Sequence, residues 1–427
     1  QPPAPHAGRK HRHGGGGGTR FVHRRAAKQT LNRIALASAR ACVMNRPLQG
    51  LRVLELGQVL AGPFASSILC DLGAEVIKIE RPQGDDARRM GPAFLGEDAL
   101  VFQVFNRGKQ SVTLDLSQTE DLKSLEHLLK DADVFLHNLR PGVAQRLSLD
   151  GPSLTSRFPK LVHGEISAFG AQGPLAMNPG YEPLLQAFSG LSAINGGPDD
   201  PPMRAGASIC DQGTGMWVVI GILSLLWRRQ FTGQGGRVQG SLLETALSWT
   251  AQKSDALINE GQQPERHRSG HPGFAPYEAF DTADAPLVIC CGNDRLFVKL
   301  AQALAHPEWT SDPRFLTNRD RLAHKAELLE LMRPCLITQP RAHWLIHLQS
   351  AGVPCAALNS LAEAQSHPQV QALGIRQELM ADDASDHGVS LTGLPLLIDG
   401  HRPLLRRLAP RLGEHNEAHG LPPAQTS

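Results

Sequence analysis

Arg52-Val53-Leu54-Glu55-Leu56 and Glu75-Val76-Ile77-Lys78-Ile79-Glu80, with Gly57-Gln58-Val59-Leu60-Ala61-Gly62-Pro63 between them, decide the fold. The two flanking runs are short and rich in Val, Leu and Ile, and read as buried strands. Ala65 to Leu72 carries apolar residues at helical spacing and stops at Gly73. Strand, helix and strand in such close succession make a βαβ unit. Outward from it, Val112-Thr113-Leu114 reads as a strand, followed by a helix through Leu129. Strands at Asp133-Val134-Phe135-Leu136 and at Leu161–Ile166 come next. This alternation predicts an α/β chain with a mostly parallel sheet covered by helices.

Length and composition bound what surrounds that unit. A chain of 427 residues suggests two or three domains, and 41% hydrophobic with 20% charged residues is globular composition. A formal charge of +2 gives no overall basic field, so nucleic acid is not an expected partner. The longest apolar run, Met216 to Trp227, is short for the ~30 Å of a bilayer core and ends at Arg228 and Arg229, so no membrane span is expected. The 7 cysteines are scattered with neither zinc nor disulfide-scaffold spacing, which fits a reducing compartment. Cys290 and Cys291 lie in an apolar run and read as buried, inert thiols.

The stretch 1–43 holds no Asp or Glu and a five-glycine run at Gly14–Gly18, a composition that predicts disorder. It reads as a transit peptide or as sequence upstream of a start at Met44, and the second fits better. A cytoplasmic location is expected, or the mitochondrial matrix on the first reading. Residues 44–235 read as the first part of a large domain and 236–340 as a smaller α+β domain. Residues 341–427 read as a return to the large one. Strands near Val389–Leu391 and Pro395–Ile398 are expected to approach the sheet.

The chemistry-bearing motifs are few. No GxxxxGK[ST], GxSxG or HExxH is present, so neither a P-loop, a serine elbow nor a zinc helix is indicated. The turn Gly57–Pro63 stands where a dinucleotide fingerprint would stand but lacks its spacing; it remains a ligand-site candidate at the carboxyl edge of a sheet. Asp211 precedes Gln212-Gly213-Thr214-Gly215 at the start of an apolar helix. A plain N-terminal cap is one reading of it. The glycines favour another, in which a ligand approaches a carboxylate held at a helix N-terminus. Tyr181, one of 2 tyrosines, follows Asn178-Pro179-Gly180 in a tight turn.

These residues and their neighbours resemble the class III CoA-transferase family. The resemblance is carried by Leu48–Leu56, Leu60-Ala61-Gly62-Pro63, Leu72–Pro82, Gly84-Asp85-Asp86, Asn106–Ser111 and Asn138-Leu139-Arg140-Pro141-Gly142. It continues through Phe169–Pro174, Pro179-Gly180-Tyr181 to Gly190, the Asp211 segment, Arg229–Gly235 and, near the C-terminus, Leu412-Gly413-Glu414-His415. It implies a Rossmann-like large domain interrupted by a smaller domain, and two chains interlocked as a homodimer. It implies transfer of CoA from an acyl-CoA to a free carboxylic acid, with CoA thioesters as substrates and no permanently bound cofactor or metal.

The family's nucleophilic aspartate falls on Asp211. Its CoA-binding positions fall on Val59, Leu60, Ala61, Arg81, Leu114, Asn138, Leu139 and Arg146. Leu139 stands where an aromatic residue is frequent, and Ser117 where some members have lysine. Gly213 and Gly215 are expected to offer oxyanion-stabilising amides, with Tyr181 supporting the loop. Thioester exchange is nearly isoenergetic, so neither ATP nor a metal is needed, and a carboxylate, a poor nucleophile in water, becomes a better one when partly desolvated.

Two other readings are open. An acyl-CoA racemase of this fold would need a histidine base where this chain has Tyr181. A non-catalytic acyl-CoA-binding protein would have no need of Asp211. Glu80-Arg81-Pro82, Asp85-Asp86, Gly91–Phe94 and His271–Phe280 resemble members that move CoA between short dicarboxylates, with succinyl-CoA as donor. A second substrate carboxylate requires a cation, for which Arg88, Arg89, Arg204, Arg266 and Arg268 are candidates.

Overall fold

Six short segments pair side by side in a computed structural model that describes residues 46–380 and 388–424; the 1–43 extension lies outside the described residues. They are β1 (Arg52–Leu56), β2 (Glu75–Glu80), β3 (Gln110–Thr113), β4 (Val134–His137), β5 (Val162–Ser167) and β6 (Gly236–Ser241). The sheet order is β3-β2-β1-β4-β5-β6 and every pairing is parallel. Parallel strands bury both faces, which is why they read as near-continuous apolar runs. Val53, Val76, Val134, Leu136 and Val162 turn to one face. Leu54, Ile77, Ile79, Val112 and Phe135 turn to the other. The strand order reverses between β1 and β4, and in a doubly wound sheet the carboxyl ends at that reversal open a crevice for ligands.

Four helices position the site. Helix α1 (Ala61–Asp71) starts four residues earlier than its apolar spacing suggests. Pro63 sits in its first turn, where a missing N–H costs nothing, and Phe64 N already bonds Leu60 O at 2.7 Å. Helix α2 is Glu182–Phe188, α3 is Ile209–Thr232 and α4 is Leu242–Glu260. With 24 residues and high hydropathy, α3 is long and apolar enough to cross a membrane by length and composition. Its Val218, Val219, Ile222 and Leu226 are nevertheless buried in the core shared with α1 and the sheet. The run Met216–Trp227 understated it because the helix extends a further two turns toward the N-terminus.

A separate core, from Phe280 to Val353, belongs to the smaller unit. Its antiparallel sheet joins Tyr277–Phe280, Leu287–Cys290 and Cys355–Ala357. The sequence boundaries shift accordingly. Gly236–Ser241 is the last strand of the large sheet rather than the first of the small domain, and the small sheet closes only at Ala357, beyond residue 340. Val389–Thr392 pairs with Arg376–Leu379 in a ribbon of its own, not with the large sheet, and Ile398 makes only a bridge to His401. The return is made farther on, beside β3. There Gly413 N donates to Ser111 Oγ at 3.0 Å, and Thr113 N donates to Asn416 Oδ1 at 2.9 Å.

Candidate functional site

A cavity of about 580 Å³ opens at the reversal point, over the carboxyl ends of β1, β4 and β5. Leu56 to Ala61 form one wall, Asn138 to Pro141 another, and Asn178 to Glu182 with Asp211 a third. Val59, Leu60, Ala61, Arg81, Asn138, Leu139, Tyr181 and Asp211, drawn from five separate stretches of sequence, therefore meet around one space. Arg140, Asp86, Gln58 and Glu182 also line it. Sequence reasoning did not single out these four, although Arg140 directly follows Asn138-Leu139 and Glu182 follows Tyr181.

Asp211 is the third residue of α3. The first intrahelical donor, Gln212 N, reaches Ser208 O at 3.0 Å, so amides before it have no acceptor within the helix. Burial pushes the Asp211 carboxyl up to about 7, and the nearby Glu182 carboxylate adds to the shift. Glu182 is 4% exposed. Its Oε1 accepts from Gln186 Nε2 at 2.6 Å and from Cys210 N at 3.4 Å, while its Oε2 is buried without a hydrogen-bond partner. Cys210 beside them is pushed up to about 12 by burial and these two acids, so it stays a thiol. The result is a carboxylate poised to ionise near neutrality, partly withdrawn from water and facing an open cavity.

Arg81 and Arg140 are the cations on the cavity wall. Arg81 Nε donates to Gly84 O at 3.0 Å and its Nη2 pairs with Asp86. Asn138 spans the cavity floor: its Oδ1 accepts from Gln58 N and its Nδ2 donates to Gln58 O, both at 2.8 Å. Tyr181, 65% exposed, caps the start of α2 at the cavity edge.

Other expected residues fall elsewhere. Leu114 is buried in the core beneath β1 and β2, and its amide donates to Glu80 O at 2.8 Å. Arg146 is exposed at the end of the short helix Val143–Arg146, whose first residue reaches the cavity. Gly213 and Gly215 lie inside α3, where their amides belong to the helical ladder. Their role in the structure is packing. A Cβ on Gly215 would stand 2.9 Å from Phe64 Cδ1 and 3.0 Å from Ala61 O, and one on Gly213 would stand 2.7 Å from Thr245 Cγ2.

Among the suggested carboxylate-binding arginines, Arg88 is fully engaged, by Glu80, Asp98 and Pro410 O. Arg266 donates to Asp200 O and Pro198 O, and Arg89 to Gln83 O. Arg204 donates to the carbonyl of Ala205, at 3.4 Å. Arg268 has φ +52° and donates its amide to Gly196 O.

A family model described as CoA-transferase family III matches residues 48–416. An acetyl-CoA:oxalate CoA-transferase of Acetobacter aceti is 40% identical over 87% of this chain and 94% of that protein. A succinate–glutarate CoA-transferase of Agrobacterium fabrum is 35% identical, over 86% and 94%. Among solved structures, a CAIB/BAIF family protein from Brucella suis superposes with a TM-score of 0.79 at 34% identity, covering 88% of this chain and 98% of that one. A match across both the sheet that carries the cavity and the smaller unit leaves one assignment: the chain belongs to CoA-transferase family III.

Proposed function

We propose that this CoA-transferase accepts CoA from succinyl-CoA and passes it to a short dicarboxylic acid, with Asp211 as the covalent carrier. The observation that carries the chemistry is a carboxylate with a raised pKa at the head of α3, open to a cavity whose walls bear Arg81 and Arg140. The Asp211 carboxylate attacks the thioester carbonyl carbon; the C–S bond breaks, giving a mixed anhydride and CoA thiolate. The thiolate then attacks the aspartyl carbonyl and releases the donor acid, leaving an aspartyl-CoA thioester. The acceptor carboxylate attacks that thioester, and the freed thiolate takes the new acyl group from the second anhydride. The overall reaction exchanges one thioester for another of similar energy, so neither ATP nor a redox step is called on.

The acyl-CoA lies across the turn Val59-Leu60-Ala61 with Asn138 and Leu139 opposite. Arg81 and Arg140 supply the positive field its phosphates need. The dicarboxylate reading is supported by relatives named for oxalate, glutarate, malate, citramalate and mesaconate, all acids with two carboxyl groups. Steady-state rates over a panel of acids with succinyl-CoA and acetyl-CoA test it. Glutarate or a four- to six-carbon relative is expected to lead. Monocarboxylates exceeding glutarate by more than about tenfold in kcat/KM would defeat the substrate assignment while leaving the transferase intact.

A further inference from the structure

The cavity wall at Gly57–Leu60 is held from below by charges the transfer chemistry does not use. Glu55 on β1 and Lys78 on β2 stand opposite each other in register, both fully buried. Lys78 Nζ reaches Glu55 Oε1 at 3.1 Å, Asp85 Oδ2 at 2.9 Å and Gly57 O at 2.8 Å. Lys109 Nζ reaches the other Glu55 oxygen at 2.7 Å and Pro63 O at 3.0 Å. The chain Asp85–Lys78–Glu55–Lys109 therefore alternates in sign and sums to zero, as a buried set must to persist. Its outer end grips the turn, for Asp85 Oδ1 accepts from Val59 N at 3.0 Å and from Ala87 N at 2.9 Å.

Val59 has φ +66°. That left-handed conformation is rare for a β-branched residue and persists only where surroundings impose it. The peptide groups that could drift are each tied: Gly57 O to Lys78, Gln58 N and O to Asn138, Val59 N to Asp85. We infer that Asp85, braced by Lys78, is a positioning residue for acyl-CoA binding, because its carboxylate holds Val59 left-handed and so sets the shape of the cavity wall. This rests on the reading of that wall as the CoA site.

Asparagine cannot take over. With its oxygen toward Val59 N and Ala87 N, its NH2 group faces the Lys78 ammonium; flipped, it faces two N–H donors. Glycine at position 59 would need no such hold, since it adopts positive φ without strain. The test compares D85N, V59G and the double variant D85N/V59G in the full-length enzyme, with thermal unfolding run beside the kinetics.

D85N is expected to raise KM for acyl-CoA by about tenfold or more and to leave KM for the acid acceptor within about twofold. D85N/V59G is expected to return to within about threefold of V59G. If D85N is too unstable to assay, D85S carries the comparison: its hydroxyl is one bond shorter and loses Val59 N. A double variant no better than D85N, with acyl-CoA KM raised in both, would overturn the inference and reduce Asp85 to a structural ion-pair partner. A separate control guards the underlying reading. L60W fills the cavity, and if it binds CoA as tightly as wild type in calorimetry, the site assignment itself fails, whatever Asp85 does.

Discussion

Asp211 makes both sides of a trade visible in one carboxyl group. Its pKa of about 7 lies above the ordinary aspartate value, so the folded state holds a proton the unfolded chain has already released at neutral pH. Stability from this group is therefore present below about pH 4 and is lost as pH rises through 7. Asp211→Asn is thus expected to abolish transfer and its acyl-enzyme adduct, yet unfold at an equal or higher temperature than wild type at pH 8. The gain is on the order of 1 kcal/mol after allowance for residual solvent. For the wild type, kcat/KM for acyl-CoA should climb about tenfold per pH unit below 7 and level off above it, because only the carboxylate attacks. A flat profile between pH 5.5 and 8 in the first half-reaction would contradict that role. Asp211 was legible in sequence because small residues and an apolar helix follow it directly. Glu182 and Arg140 were not, because what makes each matter is a partner or a cavity supplied by a distant segment.

Helix α3 shows why glycine content misleads when read for chemistry alone. A glycine-to-alanine change in an exposed helix interior gains up to ~1 kcal/mol. At Gly215 the new methyl would press on Phe64 and on the Ala61 carbonyl of α1, the helix that also carries the cavity turn. Overpacking of that kind costs about 1–3 kcal/mol, so Gly215→Ala is expected to lower the midpoint in a urea titration rather than raise it. Gly221→Ala, where a Cβ would come 2.1 Å from Val238 Cγ2, should do the same against β6. The elements themselves were readable: β1, β2 and β4 announce themselves by segments rich in Val, Leu, Ile and Phe, as parallel burial requires, and β5 by Leu161, Val162 and Ile166. Domain membership was harder to see. Gly236–Ser241 alternates polar and apolar residues, as a sheet-edge strand with one covered face does, and nothing local says which sheet it joins. The ribbon at Val389–Thr392 was misplaced for the same reason, since strand partners lie outside the strand.

At the scale of the molecule, two features set how it responds to its surroundings. His137 and His163 are each 1% exposed, stacked near Phe135, and three of their four ring nitrogens have no hydrogen-bond partner. Burial lowers them to about 4 and about 3, with His137 and Arg237 adding lesser effects. Unfolded imidazoles bind protons near 6.5, so stability falls as pH drops from there toward the folded values, by up to roughly 5 kcal/mol for the pair. His163→Leu should flatten that acid limb without lowering stability at pH 8, measured by denaturant unfolding across pH. The second feature is apolar surface. Met216, Trp217, Ile220, Trp227 and Phe231 on α3 and Leu247 and Trp249 on α4 are exposed, with the rings of Trp217 and Trp249 6.2 Å apart. Side chains of that size on neighbouring helices exceed the scattered apolar exposure of ordinary monomers. We propose that a second copy of the chain covers them, as the expected homodimer requires. Because α3 also carries Asp211 at its first turn, the same helix would, on that proposal, join subunit contact to the proposed chemistry. Ile220→Glu would place an unpaired charge in the covered face, two to three turns from Asp211 and outside the cavity. It is expected to shift the sedimenting species from dimer toward monomer and to lower activity in proportion to the dimer lost, with activity per dimer retained. Sedimentation of the wild type as a monomer at micromolar concentration would remove the dimer from this account. Full activity in a monomeric Ile220→Glu protein would instead separate assembly from catalysis.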